Sequence, residues 1–128
     1  MCPLDQQNSN VVVVEDDAGM RKALERLLRA AGFQPRFFSS AEALLTTNAA
    51  AAAGCLVLDI HLPGLSGFEL RRRLIVLGYA PPVIFITAQD DDASREEARQ
   101  LKCIAYLHKP FDGAALLDAI RQALSAPG

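Results

Sequence analysis

The sequence predicts a doubly wound α/β domain: a five-stranded parallel sheet with five helices packed on its two faces. Three observations predict it. Short apolar, β-branched runs alternate with stretches of helical periodicity. The runs are continuously apolar rather than alternating, which marks a parallel sheet covered on both sides. Acids, a hydroxyl and a lysine fall directly after these runs, and ligands of such sheets bind at the carboxyl ends of the strands.

The elements follow in order. Val11 to Val14 is β-branched throughout and reads as a buried first strand. Met20, Leu24, Leu27, Leu28 and Ala31 then recur on one helical face, stopped at Gly32. Arg36 to Phe38 forms a weaker second strand, and Ser39 with Glu42 has the spacing of a capping box for the second helix. The alanine run Ala49 to Ala53 either prolongs that helix or forms a loop, and Gly54 breaks it. Cys55 to Leu58 is the third strand. Leu70, Leu74 and Leu77 stripe the third helix, which ends near Gly78. Pro81 and Pro82 precede the fourth strand, Val83 to Thr87. Asp91 or Asp92 caps a fourth helix whose apolar stripe, Ala98 and Leu101, is thin. Ile104 to His108 is the fifth strand. Asp112 opens the fifth helix, with Leu116, Leu117, Ile120 and Leu124 turned inward.

The 128 residues fit one domain, with a core from about 11 to 125 and a flexible segment over 1–10. Half the chain (51%) is apolar, enough for a sizeable core. A net charge of −2 gives nothing that attracts nucleic acid or anionic lipid, and Arg71-Arg72-Arg73 is too short to change that. Three cysteines, Cys2, Cys55 and Cys103, have no metal or disulfide spacing. Cys55 and Cys103 read as small buried hydrophobes, which suits a reducing cytoplasm. The N-terminus lacks the pattern of a signal peptide, and no apolar stretch is long enough to span a membrane.

The strand ends carry the chemistry. Glu15, Asp16 and Asp17 follow the first strand, Asp59 and His61 the third, Thr87 the fourth, and Lys109 the fifth. Glu15, Asp16 and Asp59 would place three negative charges in one pocket, and left alone they would repel. A divalent cation and Lys109 together supply three positive charges. A site of carboxylate oxygens with room for water suits Mg²⁺, whereas zinc would want Cys or His, and His61 is the only histidine nearby. Asp59 is then placed as a nucleophile toward a phosphoryl group. The cation and Lys109 would stabilise charge on its oxygens, and Thr87 would donate its hydroxyl to the product. Asp17 reads as a solvated acid or the cap of the first helix, His108 as a solvent-facing strand residue, and Gly64 and Gly67 as turn glycines.

Four segments, in this order and spacing, resemble the response-regulator receiver domain. They are Val14-Glu15-Asp16-Asp17, Leu58-Asp59-Ile60-His61-Leu62-Pro63-Gly64, Ile86-Thr87-Ala88 and Tyr106-Leu107-His108-Lys109-Pro110-Phe111. The resemblance runs from about Val11 to Leu124 and implies the flavodoxin-like strand order 2-1-3-4-5. It implies that Asp59 accepts phosphate from a sensor histidine kinase. Asp16 would ligate Mg²⁺ directly, Glu15 would support the ion through water, and His61 would offer its backbone carbonyl. Thr87 and Lys109 would bind the phosphoryl oxygens. Tyr106 would be an aromatic switch, reshaping a face made by the fourth helix, fifth strand and fifth helix. A phosphorylation-dependent homodimer through that face and a cis Lys109-Pro110 bond are implied as well. Two departures stand out: Glu15 where many members have aspartate, and Gln100-Leu101-Lys102-Cys103 where many carry a glycine, so that turn must be built differently. Arg21-Lys22-Ala23-Leu24 and Phe37-Phe38-Ser39-Ser40-Ala41-Glu42 look similar to receivers that precede LuxR-type DNA-binding domains, which leaves open a transcriptional output domain beyond Gly128.

The main rival is a phosphohydrolase of the haloacid dehalogenase type, with the same Asp nucleophile, Mg²⁺, hydroxyl and lysine. It needs a second acid two residues after the nucleophile, where this chain has His61. A flavin or nucleotide module is disfavoured because no glycine-rich loop follows the first strand and the three acids there would repel an anionic cofactor. A degenerate receiver serving as a constitutive interaction module is disfavoured by the complete acceptor set.

Overall fold

The computed structural model describes residues 9–125. Cys2 and most of the expected N-terminal segment lie outside the described residues. Five parallel strands form one sheet in the order β2-β1-β3-β4-β5: β1 Asn10–Val14, β2 Gln34–Phe38, β3 Cys55–Asp59, β4 Val83–Thr87 and β5 Ala105–His108. Five helices connect them, α1 Ala18–Ala30, α2 Ala41–Leu45, α3 Ala49–Ala52, α4 Gly67–Val76 and α5 Asp92–Gln100, and a sixth, α6 Gly113–Ser125, follows β5. This is the flavodoxin-like arrangement, with β3 at the centre and the crossover direction reversing between β1 and β3.

Successive strand residues point to opposite faces, so the core divides in two. Val12, Val14, Leu56, Leu58 and Phe85 pack with Leu44, Leu70 and Leu74 beneath α2 and α4. Val11, Val13, Val57, Ile84 and Ile86 pack with Leu24, Leu28, Leu116 and Ile120 beneath α1 and α6. Cys55 is fully buried, whereas Cys103 is only partly so.

Four local expectations change. The alanine run is a helix of its own, making six rather than five. The Thr46 and Thr47 hydroxyls bond back to the Ala43 and Leu44 carbonyls, at 2.8 and 2.9 Å, and end α2. The cap of α2 is Ser40, not Ser39; its hydroxyl accepts from the Ala43 N–H at 3.1 Å. Glu42 then sits one position too early to close a capping box. Its carboxylate instead accepts from the distant Leu65 N–H at 3.0 Å, which holds it below the usual carboxylate range. Leu77 continues the leucine spacing of α4 but is its C-cap, at the end of the last turn, and is 58% exposed. Finally, the turn before β5 keeps the glycine-type conformation without the glycine: Lys102 has φ of +58°. The Lys102 and Cys103 N–H groups still close that helix end on Arg99 and Ala98.

Candidate phosphoacceptor site

The site is built from the strand ends. Glu15 continues the β1–β2 ladder, its N–H bonded to the Phe38 carbonyl at 3.0 Å, and its side chain is fully buried. The neighbouring acids divide the work. Asp16 is exposed at the pocket mouth, and Asp17 caps α1 by accepting from the Gly19 N–H at 2.9 Å. Asp59 closes β3 and is 4% exposed. One of its oxygens accepts from the His61 N–H at 3.0 Å. Lys109 leaves β5 with its N–H bonded to the Thr87 carbonyl at 2.7 Å, and its bond to Pro110 is cis.

These pieces converge. The Lys109 ammonium bridges Glu15 Oε1 at 2.6 Å and Asp59 Oδ2 at 2.9 Å. Burial pulls the Lys109 pKa down, but the two carboxylates outweigh it and hold the lysine above its ordinary value. Glu15 also accepts from the Asp17 N–H at 3.2 Å. One carboxylate oxygen from each of Glu15, Asp16 and Asp59 lies within 4.8 Å of the others. Among the described residues this is the group of His, Cys, Asp and Glu side chains arranged to hold a metal ion. Its donors are all oxygens, two of three are buried, and one faces solvent, so a hard cation that keeps several waters fits and zinc does not.

Thr87 is fully buried at the end of β4, beside Lys109 in the chain fold but turned to its own backbone. Its hydroxyl donates to the Gln89 carbonyl at 2.8 Å and accepts from the Gln89 N–H at 3.0 Å. Tyr106 on β5 is partly buried, and its enclosed hydroxyl lies near the Asp90 carboxylate without a well-formed hydrogen bond among the described residues. Burial first, and then the nearby Asp90 carboxylate, raise its pKa. His108 exposes its side chain, as expected, and His61 is exposed as well.

Some supporting residues escape the sequence reading. Ser66 and Glu69 form the capping box that starts α4 directly against the site. Its pattern, Ser-x-x-Glu before an apolar run, is visible in the sequence. The Arg21 guanidinium donates to the Glu15 carbonyl at 2.8 Å. Asp90 pairs with Arg95 through two bonds that tie the β4–α5 loop to α5. Neither of these last two has a sequence signature.

Known proteins bear on this geometry. The family described as the response regulator receiver domain matches residues 11–121. The response regulator protein TmoT of Ectopseudomonas mendocina is 38% identical over 94% of this chain and 55% of its own length. The transcriptional regulatory protein FixJ of Bradyrhizobium diazoefficiens is 36% identical over 89% of this chain and 58% of its own. Among solved structures, the response regulator StyR superposes with a TM-score of 0.83 at 43% identity, covering 90% of this chain and 58% of that one. FixJ-N does so with a TM-score of 0.83 at 33% identity, covering 93% and 95%. The chain spans about half the length of the curated relatives it matches. Nothing among these relatives supports the phosphohydrolase alternative. With the strand order, the acidic cluster and the matched span all in agreement, the chain belongs to the response regulator receiver family, as a receiver domain of a two-component system.

Proposed function

We propose that Asp59 accepts a phosphoryl group from the phosphohistidine of a sensor histidine kinase and that Asp16, Asp59 and Glu15 hold Mg²⁺ beside it. The observation that carries this reading is the Lys109 ammonium bridging Glu15 and Asp59 inside a cluster of three carboxylates. An Asp59 oxygen attacks phosphorus, the P–N bond breaks, and its electron pair returns to the kinase imidazole, which takes up a proton. The ion, when bound, neutralises charge on the phosphoryl oxygens. His61 would add its backbone carbonyl to the ion's ligands, and its N–H fixes one Asp59 oxygen. Lys109 sits on a flexible stem and follows the incoming oxygens. Thr87 leaves Gln89 and donates its hydroxyl to the phosphoryl group, vacating space that Tyr106 fills.

The domain catalyses only its own phosphorylation and dephosphorylation. Its output is the face of α5, β5 and α6, which pairs with a second copy when phosphorylated and controls transcription through a domain beyond this chain. No described helix is long and apolar enough to cross a membrane, which accords with work in the cytoplasm. Intact mass after incubation with acetyl phosphate and Mg²⁺ tests the acceptor. One phosphate should add to the wild type, be released by hydroxylamine, and be absent from Asp59→Asn. A shift that survives Asp59→Asn overturns the assignment.

A further inference from the structure

The last turn of α4 breaks the pattern of its own helix. Leu70 and Leu74 are buried, but Ile75, Val76 and Leu77 are 46%, 86% and 58% exposed, the large exposed hydrophobics of the described residues. Val76 and Leu77, with Leu45 of α2, line a shallow groove of about 520 Å³. A contiguous apolar patch on a small domain marks an interaction surface more often than a packing accident. Its charge is specific. Arg71 of the basic run turns inward and donates to the Pro81 carbonyl at 2.6 Å, which leaves Arg72 and Arg73 at the groove rim. Arg72 shares an exposed ion pair with Glu97, and Arg73 makes no ion pair among the described residues. No acidic residue lines the groove.

We propose that this groove between α2 and α4 docks an amphipathic helix of a partner protein whose apolar stripe is flanked by carboxylates. Two helices present ridges and a channel rather than a free strand edge, so a helix is the shape that fits. The exposed valine and leucine supply its apolar seat, and Arg72 and Arg73 select acidic flanks. None of the lining residues belongs to the phosphoacceptor cluster, so the proposal stands whether or not Asp59 is phosphorylated.

The probe is a helical peptide of about four turns with a leucine stripe flanked by glutamates, and a twin with lysines in their place. Amide chemical shifts of the labelled 128-residue protein are followed as each is added. The glutamate peptide should give saturable shifts at Leu45, Arg72, Arg73, Val76 and Leu77, lost in Val76→Ser/Leu77→Ser. Arg73→Glu should weaken that peptide about tenfold and strengthen the lysine twin. The charge reversal keeps the test decisive if the serine variant folds poorly. The proposal fails if both peptides bind the wild type equally, or if shifts fall elsewhere. It fails equally if the same amides respond only to rising protein concentration, which would mean a second copy, or only to phosphatidylserine vesicles.

Discussion

A β-carbon placed on Gly67 would lie 2.4 Å from the backbone carbonyl oxygen of Asp59. The first turn of α4 is thus pressed directly against the end of the strand that carries Asp59, and the Gly67 N–H reaches back to the Ile60 carbonyl at 2.9 Å. Gly67 has no unusual backbone angle; close approach alone requires the missing side chain. Because the obstacle is backbone, it cannot rotate away. Gly67→Ala should lower stability by about 1–3 kcal/mol through overpacking. It should also slow Asp59 phosphorylation by displacing that strand end. Gly19→Ala is the control, since its β-carbon would meet Asp17 at an ordinary 3.5 Å. Urea unfolding of both variants checks this, and equal stabilities would refute the account.

The turn before β5 predicts the opposite outcome. Lys102 holds φ of +58°, a conformation that costs a residue with a β-carbon about 1 kcal/mol. Lys102→Gly removes that strain but loosens the unfolded chain, so the expected net gain is about 0.5 kcal/mol. Lys102→Val should be clearly destabilising, because β-branching is worst in this region. Thermal unfolding of the three proteins orders them Gly, Lys, Val from most to least stable.

These two positions show where sequence reading reaches its limit. Strand positions and the site acids were legible because periodicity and strand-end chemistry are local: Val83–Thr87 falls where expected, and Asp59 and Lys109 meet as the charges require. What the neighbours dictate was not legible. Gly67 reads as a turn glycine until Asp59 is seen against it. Glu42 reads as a capping acid until Leu65 arrives from 23 residues away. Leu77 keeps the leucine spacing, yet the helix ends beneath it. The missing glycine near Lys102 was visible, but not that lysine would adopt the same backbone.

The acidic cluster predicts a trade between stability and function. Asp16 is exposed and engages no cation among the described residues, while Glu15 and Asp59 share Lys109. Asp16→Ala removes like-charge repulsion from the metal-free protein and should raise its melting temperature slightly. The same change should abolish Mg²⁺-dependent shifts at Glu15 and Asp59 amides and prevent phosphorylation by acetyl phosphate. Normal phosphate uptake by Asp16→Ala would show that the ion is held elsewhere.

Cys55 offers a pH-dependent prediction at the opposite end of β3 from Asp59. Burial pushes its thiol up to about 12, against about 8.5 for a free cysteine. The folded pKa is raised, so this contribution to stability is complete below about pH 8.5 and is lost as pH rises toward 12. At neutral pH the thiol stays protonated and shielded. In a variant with Cys2→Ser and Cys103→Ser, Ellman's reagent should find no thiol until denaturant is added. Rapid reaction of the native variant would contradict the burial.

The proposed output face yields the last prediction. Helix α5 is the least anchored of the long helices: of its residues only Ala98 is buried, and its remaining ties are polar. Arg72 reaches it from α4 through an exposed pair with Glu97, and Asp90 holds it through Arg95. Exposed pairs of this kind contribute little. Thr87 and Tyr106 border this helix, the first bonded to Gln89 and the second with a hydroxyl that lacks a well-formed hydrogen bond among the described residues. If Thr87 turns to a phosphoryl group, the Gln89 turn loses its hydroxyl partner and the loop leading into α5 is released. A shift of a few kcal/mol then suffices to repopulate the face. Amide hydrogen exchange with beryllofluoride and Mg²⁺ should change mainly between Thr87 and Phe111 and extend into α6. Asp90→Asn should raise exchange in α5 without any phosphoryl mimic, because the Arg95 tie weakens while Asp59 is untouched. Changes confined to α1 and α2, with α5 silent, would rule this face out as the output.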